Sequence, residues 1–81
     1  MNILAVKFDD HAVDVGFHKN SLCLVLADGR EIRAPLEWFP RLREASDVQR
    51  NNWRFIGNGS GVHWPDVDED IAVSTLIRGS D

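Results

Sequence analysis

The stretch Val13-Asp14-Val15-Gly16-Phe17-His18-Lys19-Asn20-Ser21-Leu22-Cys23-Leu24-Val25-Leu26-Ala27-Asp28-Gly29-Arg30-Glu31-Ile32-Arg33-Ala34-Pro35 carries apolar residues at every second place. They fall at Val13, Val15 and Phe17, then at Leu22, Leu24 and Leu26, then at Ile32 and Ala34. A period of two is that of strands with one face packed inward, so the stretch reads as three consecutive antiparallel strands. His18-Lys19-Asn20 supplies a short polar connection between the first two. Asp28-Gly29 predicts a two-residue turn between the second and third, because such turns need positive backbone angles that Gly and, less readily, Asp adopt. Pro35 ends the third strand, having no N–H to give a ladder. Residues 1–12 are read either as an additional strand or as an arm.

Beyond Pro35 the period changes. Pro40 presets the first turn of a short helix over Arg41-Leu42-Arg43-Glu44-Ala45, in which Trp38, Leu42 and Ala45 share one face. Ser46 followed by Gln49 has the spacing of a capping box, which predicts a second helical turn reaching Asn52. Trp53-Arg54-Phe55-Ile56 and Gly61-Val62-His63-Trp64 read as strands joined by the glycine-rich Gly57-Asn58-Gly59-Ser60. Ile71 and Val73 suggest one last strand, and residues 74–77 a final helical turn stopped by Gly79. The expected fold is α+β: a small, mostly antiparallel sheet built from an N-terminal three-stranded meander and a C-terminal hairpin, with one or two short helices packed on one face.

The chain has 81 residues, 43% hydrophobic and 27% charged, which reads as a single domain over residues 1–81. Cys23 is its only cysteine, so neither an internal disulfide nor a multi-cysteine zinc site can be built, and its apolar neighbours predict a core thiol. Neither a secretion signal nor a membrane-spanning run is legible, so a cytoplasmic location without membrane contact is expected. The formal charge is -4 and unevenly spread. Residues 30–54 carry six arginines against four acids, whereas residues 55–81 carry one arginine against five acids. Such asymmetry suits the steering of a charged partner.

Asp28-Gly29-Arg30, Pro35-Leu36, Trp38-Phe39-Pro40-Arg41-Leu42, Arg50-Asn51-Asn52-Trp53 and His63-Trp64-Pro65-Asp66-Val67-Asp68-Glu69-Asp70-Ile71 together resemble the bacterial DUF2442 family, over about residues 12–79. The resemblance implies small α+β domains, sometimes fused to a helix-turn-helix segment and often encoded beside another small protein in a toxin–antitoxin-like arrangement. It brings no catalytic residues. Phe39 stands where many members of the family have a tyrosine, and no helix-turn-helix extension is expected after residue 81, so DNA binding by that route is not carried over.

Two clusters remain for function. His63, Asp66, Asp68, Glu69 and Asp70 place an imidazole and four carboxylates within eight residues. Counted from Asp66, the sixth and twelfth positions are Ile71 and Ile77, where a calcium loop needs Gly and a bidentate Glu. No second histidine or activated nucleophile stands at a telling spacing for hydrolysis. The carboxylates are therefore read in two ways: as caps and arginine partners that hold a turn together, or as an acidic surface that recognises a basic protein partner. Arg30, Arg33, Arg41, Arg43, Arg50 and Arg54, interleaved with Trp38, Phe39 and Trp53, form the second cluster and suggest nucleic-acid contact as the alternative. Gly57–Gly61 lacks the following helix and Lys-Ser/Thr pair of a phosphate loop and reads as a hairpin connection. Trp38, Trp53 and Trp64 read as pillars of the core, with Trp38 beside Phe39 the alternative interface anchor.

The leading expectation is a non-catalytic interaction module with no cofactor and no metal. Its partner would be another protein, encoded nearby and bearing a basic surface, with this chain antitoxin-like, regulatory or inhibitory. A metal-assisted hydrolase is the weakest of the readings, and the oligomeric state is left open.

Overall fold

A computed structural model describes residues 7–78. Strands β1 (Ala12–His18), β2 (Ser21–Leu26) and β3 (Glu31–Pro35) form an antiparallel meander in the order β1-β2-β3. A 3₁₀ turn over Leu36–Trp38 leads into helices α1 (Pro40–Arg43) and α2 (Asp47–Asn51). Strands β4 (Arg54–Ile56), β5 (Gly61–Trp64) and β6 (Glu69–Ala72) make a second antiparallel sheet in the order β4-β5-β6, and helix α3 (Val73–Arg78) follows directly. The α+β class, the meander, the hairpin and the last short strand are as expected, and they form two three-stranded sheets.

Alternation in the first sheet buries Leu22, Leu24 and Leu26 completely or nearly so, with Ala34 beside them. Val13 departs from the expected pattern and is 55% exposed. The register shifts between Ala12, opposite Leu26, and Asp14, opposite Val25, so Val13 is the extra residue of a β-bulge. The bulge turns Ala12 inward, where it is buried and its N–H donates to the Gly59 carbonyl of the second half of the molecule, at 2.7 Å. Cys23 also departs from expectation. Leu22 and Leu24 occupy the inner face, so the pleat sends Cys23 to the outer one, half-buried, with its thiol 3.7 Å from Glu31.

The β2–β3 connection is one residue longer than predicted. The Leu26 N–H donates to the Arg30 carbonyl and the Gly29 N–H to the Leu26 carbonyl, so Ala27, Asp28 and Gly29 form a three-residue loop with Gly29 at φ 95°. Asp28 organises it by accepting from the N–H groups of Arg30 and Asp9 and from the Arg30 guanidinium. These same bonds dock residues 7–11 as an irregular arm: Arg30 also pairs with Asp10 and lies 4.9 Å from the centre of the Phe8 ring. The question of a strand over residues 1–6 lies outside the described residues.

Pro40 opens α1, and Ser46 caps α2 in a complete capping box with Gln49. Leu42 is fully buried and Ala45 half-buried, but Trp38 is 46% exposed and is not a pillar of the core. Helical phase begins only at Pro40, and Trp38 sits in the preceding 3₁₀ turn, out of step with Leu42. At the other end β6 stops at Ala72, and Val73 is the buried first residue of α3 where a strand residue was expected. The proposed stop at Gly79 lies outside the described residues.

One apolar core joins the halves. Trp64, at 0% exposure, packs edge-on to Phe17 with ring centres 6.2 Å apart, and its indole N–H donates to the Arg50 carbonyl at 2.9 Å. Val62, Ile71, Val73 and Leu76 complete the same cluster. No polar or charged residue is buried as a whole among the described residues, although the Asp28 side chain is nearly enclosed in its loop.

Candidate functional site

Strand β5 alternates Val62 and Trp64 inward with Gly61 and His63 outward, because the two large apolar residues have only the core to enter. Register then aligns three charged or polar side chains on the outer face. Arg54 of β4 stands opposite His63 of β5, and His63 opposite Asp70 of β6. The His63 ring Nδ1–H donates to the Asp70 carboxylate; the imidazole is 20% exposed and the carboxylate 66%. Arg54, Phe55, Ile56, His63 and Asp70 line an open groove of about 410 Å³.

The β5–β6 turn carries the remaining acids. Asp66 accepts from the Asn52 side chain at 2.9 Å, and the Glu69 carboxylate from the Asp70 N–H at 3.1 Å. Asp68 holds the left-handed conformation at φ 51°, and Arg41 donates to its backbone carbonyl at 2.6 Å, so the guanidinium grips the turn through main chain. Among the described residues none of Asp66, Asp68, Glu69 and Asp70 forms an ion pair with an arginine. The reading of these acids as arginine partners is therefore not met. Asp66, Asp68 and Asp70 are exposed and Glu69 half-buried. Among the described residues no three His, Cys, Asp or Glu side chains gather as metal ligands, and no helix is long and apolar enough to cross a membrane.

The six arginines do not act as a set. Arg50 is spent inside the fold: it donates to the carbonyls of Leu42 at 2.8 Å and Arg43 at 2.7 Å, and lies 5.7 Å from the centre of the Phe17 ring. Arg30 serves the β2–β3 loop, Arg41 the acidic turn, and Arg43 pairs with Glu37 at 3.2 Å and Glu44 at 3.8 Å. Arg33 and Arg54 are exposed on different sheets. The Arg30 guanidinium, helped by the N–H groups of Asp9 and Arg30, holds the Asp28 carboxyl far below its ordinary value, and Asp28 and Asp10 together raise Arg30.

The residue pairing missed at the level of sequence is Arg54 with His63 and Asp70. The predicted hairpin around Gly57–Ser60 already implied that Arg54 faces His63; Asp70 joins them only because β6 pairs with β5 four residues long. Ile56, 40% exposed, belongs to the same outer face.

A protein of unknown function from Rhodospirillum rubrum, known from a crystal structure, is similar in fold at 24% identity, with a TM-score of 0.71 over 88% of this chain and 92% of that one. No curated protein matches. The profile described as "Protein of unknown function (DUF2442)" matches residues 12–81, so the chain belongs to the DUF2442 family.

Proposed function

We propose that this chain is a non-catalytic protein-interaction module that offers the β5–β6 turn to a basic partner. The observation that carries the reading is the set of carboxylates on Asp66, Asp68, Glu69 and Asp70, outward or half-outward and free of arginine among the described residues. Charges arranged in this way favour encounter with a positive surface and disfavour acidic competitors. Support also comes from the rigidity of the turn: Arg41 and Asn52 fix it through the Asp68 carbonyl and the Asp66 carboxylate, which lowers the ordering cost of binding. In this reading the chain is the antitoxin-like, regulatory or inhibitory member of a bacterial, cytoplasmic two-protein system, and its partner is the product of a neighbouring gene.

The test is a pull-down of that product with the wild-type chain and with Asp68→Asn combined with Glu69→Gln. The expected complex weakens with added salt and by about tenfold or more in the double variant. Binding unchanged by both treatments removes the acidic turn from the proposal. Nucleic-acid binding by the central arginines receives no comparable support, since Arg30, Arg41, Arg43 and Arg50 are engaged within the fold.

A further inference from the structure

The outer face of the second sheet presents two rows that cross its three strands. The first runs Arg54, His63, Asp70: positive, imidazole, negative. The second, two residues along each strand, runs Ile56, Gly61, Ala72: large, none, small. Arg54 has no ion-pair partner among the described residues, Asp70 is 66% exposed, and Ala72 and Ile56 are exposed too. Ile56 leans across the middle of its row, its Cδ1 3.3 Å from where a Gly61 Cβ would stand, and leaves the Ala72 end low.

We propose that this face docks against a second copy of itself, about a two-fold axis running along β5. A rotation about that axis exchanges the ends of each row and keeps the rows in place. Arg54 of one copy then meets Asp70 of the other, twice over, and the Ile56 of each copy settles above the low Ala72 end of its mate. Such an isologous contact requires a patch that is its own complement, and both rows meet that requirement under one operation. A purely basic partner segment fits this face less well, because the cation that reaches Asp70 on one side brings like charge to Arg54 on the other. The axis along the strands also places both β5–β6 turns at the same end, so the contact takes up Asp70, leaves Asp66, Asp68 and Glu69 free, and does not rest on the reading given for those three.

The size of the face sets the strength. Strands about 4.8 Å apart and residues rising about 3.4 Å make a patch roughly 10 Å across, well short of the roughly 800 Å² per partner typical of stable complexes. The dimer is therefore weak and concentration-dependent. Sedimentation equilibrium of the wild-type chain up to 1 mM is expected to show mass rising from monomer toward dimer, and NMR dilution shifts are expected to centre on residues 54–56, 61–63 and 70–72. Arg54→Asp and Asp70→Arg each place like charges in both contacts and are expected to weaken association about tenfold or more. An equal mixture of the two single variants restores opposite charges at both contacts and is expected to associate as strongly as the wild type, as a heterodimer. A wild type that stays monomeric at 1 mM, single variants that associate undiminished, or a mixture of folded variants that stays monomeric would each overturn the proposal. Should either variant fail to fold, the wild-type dilution map decides: shifts confined to any other surface sink the contact, including one formed by a basic segment elsewhere in the chain.

Discussion

In the first sheet strands of seven, six and five residues pair along nearly their whole length, and β2 sends Leu22, Leu24 and Leu26 inward in an unbroken alternation. In the second sheet strands of three, four and four residues are joined by a glycine-rich turn and by a turn containing a left-handed Asp68. Ladder and pattern suffice for the first. The second depends on groups reaching in from elsewhere: the Arg50 carbonyl receiving Trp64, Arg41 on the Asp68 carbonyl, Asn52 on Asp66, and the Ala12 N–H on Gly59. Short strands alone are marginal, so a sheet of this size stands only when its neighbours supply the remaining bonds. The half held by outside contacts is also the half that carries the exposed acids Asp66, Asp68 and Asp70.

The sharpest way to break this contrast is to remove its largest tertiary contact. Trp64→Ala deletes the buried indole, its edge-on contact with Phe17 and its bond to Arg50, and is expected to cost about 3–5 kcal/mol in urea unfolding. That is most of the stability of a domain whose total is on the order of 5 kcal/mol. Leu24→Ala, about 2–5 kcal/mol by the same cavity argument, is the matched change in the first sheet. Trp64→Ala is expected to collapse the dispersion of the amide NMR signals of the helical linker and second sheet together; losses confined to Trp64's own strand would contradict this dependence.

A smaller effect separates two glycines. Gly59 holds φ 101°, and a Cβ there would overlap the Ala12 carbonyl, so Gly59→Ala is expected to destabilise by about 1–3 kcal/mol from backbone strain alone. Gly16, in β1, has nothing within 4 Å of such a Cβ, and Gly16→Ala is expected to gain about 0.4–1 kcal/mol by restricting the unfolded chain. Equal thermal shifts in the two variants would erase the distinction between a sheet that stands on its ladder and one docked by close backbone approach.

The finest test concerns acid. Asp28 has a lowered pKa in the folded chain, chiefly through Arg30, against an ordinary value of 3.8. Below that value the unfolded chain binds more protons than the folded one, so the contribution of Asp28 is full above pH 3.8 and is lost as the pH falls further. Asp28→Asn is expected to flatten this acid limb and to release the arm at residues 7–11, read as faster amide exchange at Asp9, while leaving the second sheet unchanged. An unaltered acid limb would show that Asp28 is not its source.

Much of the architecture was legible along the chain. The period of two in the meander, Pro40 at a helix start and the Ser46–Gln49 capping box are local signals, and each appears where expected because neighbours within a few residues supply the partners. Three of the misses share one cause. Val13, Cys23 and Trp38 are apolar, and hydrophobicity alone does not say which of two faces a residue takes when a bulge, a doubly apolar strand or a 3₁₀ turn shifts the phase. At the site, the acids were visible as a cluster, but the choice of partner was not: Arg41 takes a main-chain carbonyl of the turn, and Arg54 stands beside His63 through strand register.

Composition, period and punctuation thus sufficed to specify an α+β chain with a meander, a glycine-turned hairpin and an acidic stretch near its end, since these follow from interactions between residues close in sequence. That Arg41 and Asn52 are drawn to the acidic turn, and that the Trp64 indole finds the Arg50 carbonyl, follow from contacts between segments well separated in the chain. Those contacts exist only once the core around Trp64 has closed, because burial of that ring is what brings the helical linker against the second sheet and fixes its outer face.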